Sequence, residues 1–307
     1  MNLKIALVQF QIDPLSPEAN LKKAERFIEV ASPENDLVVF PEDLIAGPLN
    51  GRNEFADYDG RYVRRFQRLA AKYKIDIVPG SITEGDDAAL YNTTYYIDRS
   101  GEILGRYRKV NLWLPERSYI TPGNKVSVFA TRFGKVGLII CWDLMFPEIF
   151  RAMVREGVEI VICPSYWCFE DAGIGLKHNR MSEVKLVNAL CVSRAFENEI
   201  ALVYVNAAGR LAHEGATDTL IGQSQVTVPF KGAIALMDHN QEEMLSVEIN
   251  TDILRDAEEA YEIRSDLRKA EDGEEETGEL RQDRFVWQDG DIVFLDEDTE
   301  EGEEDEE

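Results

Sequence analysis

Cysteine and histidine are scarce in this chain, and the scarcity excludes several common uses of both. The four cysteines, Cys141, Cys163, Cys168 and Cys191, form no CxxC pair and lack the density of a secreted disulfide scaffold. Of the three histidines, His178 has no second His or Cys at metal-ligand spacing, so it reads as a loop histidine and no metal site is expected. No run approaches the roughly 20 apolar residues that span a bilayer. Basic residues are also short, 33 Lys and Arg against 58 Asp and Glu, which argues against a nucleic-acid partner. There is no repeat with a period of 20 to 50 residues. The opening MNLKIALVQFQID has an apolar run, but it is short, alternates with polar residues and lacks a small-residue cleavage site, so a first strand is expected there. These absences together point to a protein of a reducing, cytoplasmic setting with neither membrane nor nucleic acid as partner.

What the chain does have is a 44% hydrophobic composition over 307 residues, enough for a large core. Its acidity is uneven. Residues 271–307 hold nineteen Asp and Glu against two Arg, which is −17 of the net −25. The composition break divides a body, 1–270, from an acidic extension, 271–307. EDGEEETGE and DEDTEEGEEDEE read as solvated chain. Between them RFVWQDGDIVFL (284–295) places two apolar runs around Asp-Gly, the signature of a hairpin or of an arm that docks on a sheet edge or a partner subunit.

Through the body, short β-rich runs alternate with helical patterns, which predicts an α/β layered domain. Strands are expected at 3–11, 36–40, 75–82, 91–98, 102–108, 126–130, 135–140, 159–163, 200–206, 223–228, 233–237 and 244–249. Helices are expected at 17–31 with Ser16 as cap, 60–73, 147–156 and 182–198.

Three of these strands end on residues that carry chemistry. DLVVFPEDL places Glu42 after one, GRYRKVNLWLPE places Lys109 after a second, and VGLIICWD places Cys141 after a third. Taken singly they read as a helix cap, a surface lysine and a core thiol. Taken together they form a nucleophile with its activators: a carboxylate to take the thiol proton, and an ammonium to lower the thiol pKa or meet an oxyanion beside the backbone N–H of Trp142. The chemistry implied is acyl transfer.

At these residues the chain resembles the nitrilase, or carbon-nitrogen hydrolase, superfamily over about residues 3–268. The likeness rests on FPED (40–43), RKVNLWLPERSYITPG (108–123), CWDLMFPE (141–148), CPSYW (163–167), RAFEN (194–198), Asn206–Gly209 and GQSQV (222–226). The resemblance implies a four-layer α-β-β-α sandwich and a Glu42–Lys109–Cys141 triad with Glu116 as a second glutamate. It implies cleavage of a non-peptide carbon–nitrogen bond of a small-molecule amide through a thioester, without metal or cofactor. It also implies a homodimer or higher homo-oligomer, with a C-terminal arm crossing to the other subunit. The CWD start looks like that of carbamoyl-amine hydrolases rather than of true nitrilases, which favours an amidase or carbamoylase over a nitrilase. Ser165, Tyr166 and Trp167 are expected to shape the acyl pocket, and Lys177, His178 and Arg180 are candidates for an acidic substrate end. Rival readings are a catalytically silent scaffold on the same fold and a redox sensor at Cys141.

Overall fold

The run that opens the chain forms β1 (Asn2–Gln9), and from Ile5 onward each of its residues is buried, because both faces of this strand are covered. The structure is a computed structural model that describes residues 2–271 except 87 and 214, together with the segments 285–288 and 291–294. After β1 come α1 (Pro17–Ala31), β2 (Leu37–Val39), α2 (Arg61–Tyr73), β3 (Asp76–Val78), β4 (Ser81–Gly85), β5 (Leu90–Ile97) and β6 (Ile103–Arg108). Then follow β7 (Val128–Thr131), β8 (Gly134–Leu138), α3 (Pro147–Arg155), β9 (Ile160–Ser165), α4 (Ser182–Asn198) and β10 (Ala201–Asn206). The remainder is β11 (Arg210–His213), β12 (Ala216–Thr219), β13 (Gln225–Val228), β14 (Gly232–Leu236), β15 (Glu243–Asn250), α5 (Asp252–Tyr261), α6 (Ile263–Glu271), β16 (Phe285–Gln288) and β17 (Asp291–Phe294).

The fold is α/β with two mixed sheets. The first runs β15-β1-β2-β3-β5-β4 with β6 paired to β5; the second runs β14-β13-β10-β9-β8-β7. Each has parallel strands at its centre, β1-β2-β3 and β8-β9-β10, and antiparallel strands outside them. Parallel strands put their carboxyl ends on one side, which is where α/β folds present reactive groups. Helix α1 buries Leu21, Ala24, Ile28 and Ala31 along one stripe, and α2 buries Tyr62, Val63, Phe66, Leu69 and Ala70. Those two helices pack on each other and α2 lies on β3 and β5, while α3 and α4 pack together and α4 lies on β10, β13 and β14. The sheets meet through β1 and β10.

Residues 1–266 form one compact unit and 267–307 another. In the second, β16 and β17 pair antiparallel from Phe285↔Phe294 to Gln288↔Asp291. The two runs of the expected hairpin at 284–295 therefore pair; its turn at 289–290 and the acidic flanks at 272–284 and 295–307 lie outside the described residues.

Two expectations needed correction. The run 75–82 is two strands, because Pro79-Gly80 breaks it: Gly80 takes φ +73°, and a Cβ there would lie 1.8 Å from the Pro41 carbonyl oxygen. Ser16 holds the N-cap position of α1 but does not cap it, since its hydroxyl donates to the Pro14 carbonyl at 3.2 Å. The β11–β12 hairpin and helices α5 and α6 were not among the expected elements; the hairpin strands, four residues each, are too short to show a period. Gly80 packs directly behind the strand end that bears Glu42, so Gly80→Ala is expected to cost at least about 2 kcal/mol through backbone strain and displacement of Pro41. Urea unfolding measures it, and an unchanged midpoint would refute the close approach.

Candidate active site

Glu42 follows β2 through Phe40-Pro41, and its backbone N–H donates to the Ser165 carbonyl at 3.2 Å, tying the first sheet to the end of β9. Its carboxylate is buried and fully engaged. Oε1 accepts from Lys109 Nζ and Asn92 Nδ2, both at 2.8 Å, and Oε2 accepts from the Tyr166 N–H at 2.9 Å. Lys109, at the end of β6, is 2% exposed, which a lysine tolerates only when its charge is paired. Glu116 supplies a second partner at 2.7 Å from Nζ. Glu116 is itself held by Asn92 Nδ2 at 2.9 Å and by the Trp113 N–H at 2.8 Å. One ammonium thus sits between two carboxylates, and Asn92 bridges the same two from the other side.

Cys141 opens a short 3₁₀ turn, Cys141–Met145, at the end of β8 with φ +47°, in the left-handed region that an L-residue rarely adopts. A sharp turn of this kind lifts one side chain off the end of a strand. Its Sγ lies 3.8 Å from the Tyr166 carbonyl oxygen. Burial pushes the thiol well above its ordinary pKa, the Glu42 charge adds to this, and Lys109 works against it. Burial also raises Glu42 above the usual carboxylate range, with Lys109 opposing and Glu116 reinforcing. Burial disfavours a charged Lys109, but Glu116, Glu42 and Cys141 outweigh that and keep it an ammonium. The resting site is therefore a protonated thiol beside a carboxylate of raised basicity and a fixed cation.

These groups open into a cavity of about 160 Å³. Glu42, Lys109, Glu116 and Cys141 line it, as do Trp142, Tyr166 and Trp167. Trp142 packs between Trp113 and Trp167, its ring tilted by 59° and 48° to theirs with centroids at 4.3 and 5.5 Å. Ser165 does not line the cavity: it is fully buried on β9, with its hydroxyl 3.5 Å from Cys163 Sγ and its carbonyl bound to the Glu42 N–H. Lys177, His178 and Arg180 do not line it either. They are exposed, and the cavity lining instead includes Asp43, Asp171 and Asp218. Among the described residues no cluster of three or more His, Cys, Asp or Glu is arranged to hold a metal ion.

The carbon-nitrogen hydrolase family model matches residues 4–258. The chain belongs to the carbon-nitrogen hydrolase family. It is 29% identical over 273 residues to a 2-oxoglutaramate amidase of Bacillus subtilis, covering 88% of this chain and 99% of that one. It is 28% identical over 283 residues to an N-carbamoylputrescine amidase of rice, Oryza sativa subsp. japonica, covering 87% and 92%. Among solved structures it resembles an amidase from Nesterenkonia sp. AN1 that carries the acetamide moiety of fluoroacetamide covalently added at its active-site cysteine. That likeness has a TM-score of 0.71 at 25% identity and covers 83% of this chain and 93% of the other.

In this carbon-nitrogen hydrolase the turn that presents Cys141 is clamped by residues for which the sequence reading had no role. Asp143 is fully buried and accepts four hydrogen bonds. These come from the Asn111 N–H and Nδ2 at 2.8 and 2.9 Å, the Tyr107 hydroxyl at 2.8 Å and the Ile140 N–H at 3.0 Å. It therefore joins the loop after Lys109 to the residue before Cys141. Arg194 of α4 closes the other end of the turn, donating from Nε to the Leu144 carbonyl and from Nη2 to the Met145 carbonyl, each at 3.1 Å. Asn206 holds the strand end beside them, accepting the Trp167 N–H at 2.8 Å and donating to the Trp167 and Gly222 carbonyls at 3.1 and 3.0 Å. The signals were present as polar residues inside apolar runs, namely Asp143 in CWDLM, Asn92 in LYNTTYYI and Asn206 in ALVYVN. Asp143→Ala strands several of these donors and is expected to destabilise the fold by roughly 2–4 kcal/mol in urea unfolding. A loss under 1 kcal/mol, on the same order-of-magnitude scale, would mean the clamp is not structural.

Proposed function

We propose that this protein hydrolyses the carbon–nitrogen bond of a linear amide or N-carbamoyl amine, through a thioester on Cys141, with release of ammonia. The observation that carries the reading is the buried trio itself: a thiol at a left-handed turn, with Lys109 Nζ 2.8 Å from the Glu42 carboxylate in one cavity. The family and the amidase relatives support the same class of reaction.

In this scheme Cys141 transfers its proton to Glu42 as Sγ bonds to the amide carbon. Keeping the thiol protonated until substrate arrives costs little in nucleophilicity, because the base beside it has raised basicity. Negative charge then gathers on the amide oxygen, where Lys109 and the Trp142 N–H meet it in a site shielded from water. The carbon–nitrogen bond breaks as Glu42 returns its proton to the leaving nitrogen. Water next attacks the thioester carbon, Glu42 takes its proton, and the proton passes to the departing sulfur, so the resting state is restored. Glu116 holds Lys109 in place through both halves. No metal or redox group enters the scheme.

The direct test is ammonia release from a panel of ω-amides, aliphatic amides, N-carbamoyl amines, N-carbamoyl amino acids and nitriles. Release from the amide or carbamoyl group is expected, falling by roughly 10³-fold or more in Cys141→Ser. Release confined to nitriles, or equal release by the variant, would overturn the assignment. The pH profile gives a second test. Glu42 must be ionised to accept the thiol proton and its pKa is raised, so kcat/KM is expected to fall as pH drops through an inflection above the ordinary glutamate value of 4.5. Glu42→Gln should abolish turnover, and wild-type turnover in that variant would remove Glu42 as the base.

A further inference from the structure

Asn92 stands on β5 beside Lys109, whose backbone N–H donates to the Asn92 carbonyl at 2.9 Å. Its side chain is not among those that line the cavity, so whatever it contributes passes through other residues. The side-chain nitrogen has two N–H bonds and spends both on carboxylates, Glu42 Oε1 at 2.8 Å and Glu116 Oε1 at 2.9 Å. The amide cannot sit the other way round, because ionised carboxylates only accept and its oxygen would then face two negative charges. That oxygen, Oδ1, is buried, and among the described residues no donor reaches it. A buried acceptor without a partner destabilises a fold, and a leucine of similar size would escape that cost. What the asparagine brings to this position is therefore its pair of N–H donors.

Those donors determine where Glu42 can take up a proton. A carboxylate offers about four lone-pair sites, two on each oxygen. On Glu42, Lys109 Nζ and Asn92 Nδ2 fill both sites of Oε1, and the Tyr166 N–H fills one site of Oε2 at 2.9 Å. One site is left, on Oε2. Tyr166 also ties that oxygen to the nucleophile, since its carbonyl accepts from Cys141 Sγ at 3.8 Å while its N–H donates to Oε2. We propose that Asn92 is a positioning residue for the reaction: by closing Oε1 it directs the Cys141 proton to Glu42 Oε2, and by bridging to Glu116 it holds the base in place as that proton arrives. The proposal rests on the hydrolase reading above for Glu42 as the base. Protonation of Glu42 removes the charge that Lys109 answers, and the Asn92 bridge is then the contact that still joins Glu42 to Glu116. Through the same hydrogen bond Asn92 favours the ionised form of Glu42, against the burial that disfavours it.

Among titratable neighbours, Lys109, Glu116 and Cys141 act on Glu42, and Asp43, Asp171, Cys163 and Cys168 share its field. None of them changes when Asn92 is replaced, so a difference between variants reports on Asn92. Two readouts are taken on the full chain as functions of pH: kcat and KM for ammonia release, and the rate at which iodoacetamide alkylates Cys141, followed by mass spectrometry with Cys141→Ser as the blank. Asn92→Leu removes the donors at nearly constant size, and Asn92→Asp keeps the shape while adding a third carboxyl. In both, the acid limb of each profile is expected to move up by about 1 pH unit, and kcat to fall by roughly 10- to 100-fold with KM within about 3-fold of wild type. If Asn92→Leu does not fold, the isosteric Asn92→Asp carries the test. An acid limb that stays at the wild-type pH, or a loss confined to KM, would leave Asn92 a structural residue and overturn the proposal. Shifted alkylation limbs without ammonia release from any amide by the wild type would support the positioning role and overturn the hydrolase reading. Ammonia release with unshifted limbs would do the reverse.

Discussion

The buried ammonium of Lys109 is the constraint around which the rest of the site is arranged. A lysine side chain taken out of water is tolerable only if its charge is answered closely and its donors are used. Glu42 and Glu116 answer it at 2.8 and 2.7 Å. Those two carboxylates then need partners of their own, which Asn92, the Tyr166 N–H and the Trp113 N–H provide. Each partner comes from a different strand end or loop. The ion cluster therefore acts as a staple across the first sheet, the loop after β6 and the end of β9, and its parts hold geometry that flexible side chains would otherwise lose. Removing either carboxylate takes one of two close partners from the buried cation and strands the donors that carboxylate accepted, so both glutamates serve the fold.

Cys141 adds a second constraint of a different kind. Its left-handed backbone is strain that persists only where the surroundings over-determine it. Asp143 fixes the near end of the turn through the Ile140 and Asn111 N–H groups, and Arg194 binds the carbonyls at the far end. Because Asn111 lies two residues beyond Lys109, the clamp on the nucleophile is also a clamp on the cation. A fixed spacing between thiol, base and ammonium follows from the way the chain is tied rather than from contacts among the three alone. This is the form of preorganisation that keeps an oxyanion site from having to rearrange during reaction.

How much of this the amino-acid sequence discloses depends on the range of the interaction. The helix 17–31 was legible because its apolar stripe is local and long; most of 182–198 was legible as helix although its buried face mixes Val187, Cys191 and Ala195 with Glu183, Arg194 and Asn198. Glu42 and Cys141 were legible as candidates because each follows an apolar strand, and Lys109 because it follows the alternating strand β6. Asn92 is marked only as a polar residue in an apolar run: its use comes from bridging two glutamates that lie 50 and 24 residues away, which LYNTTYYI alone does not disclose. Ser165 shows the opposite error. It stands beside Tyr166 and Trp167 in sequence, but it is the last, fully buried residue of β9, whereas Tyr166 and Trp167 lie past the strand end and line the cavity. The expected basic residues at 177–180 lie on the surface, and the acidic wall that replaces them is assembled from three segments between residues 43 and 218.

The division between those two groups of residues carries a physical point about how one fold serves several amides. The groups that the proposed reaction uses sit at or just after strand ends, and Glu42, Lys109 and Glu116 are held by mutual ion pairs, so altering one disturbs the others. Two of the three aspartates sit elsewhere, on the turn after Cys168 and on the β11–β12 hairpin, and neither is a partner of Lys109. Asp171 accepts the Cys168 N–H and Asp218 the Tyr166 hydroxyl, so both are tied to the segment that follows β9, whereas Asp43 is the chain neighbour of Glu42 and cannot move without it. The acidic lining is thus assembled from the segment that bears Glu42 and from the segments after β9 and in β12. The fold alone does not fix which amide such a cavity accepts.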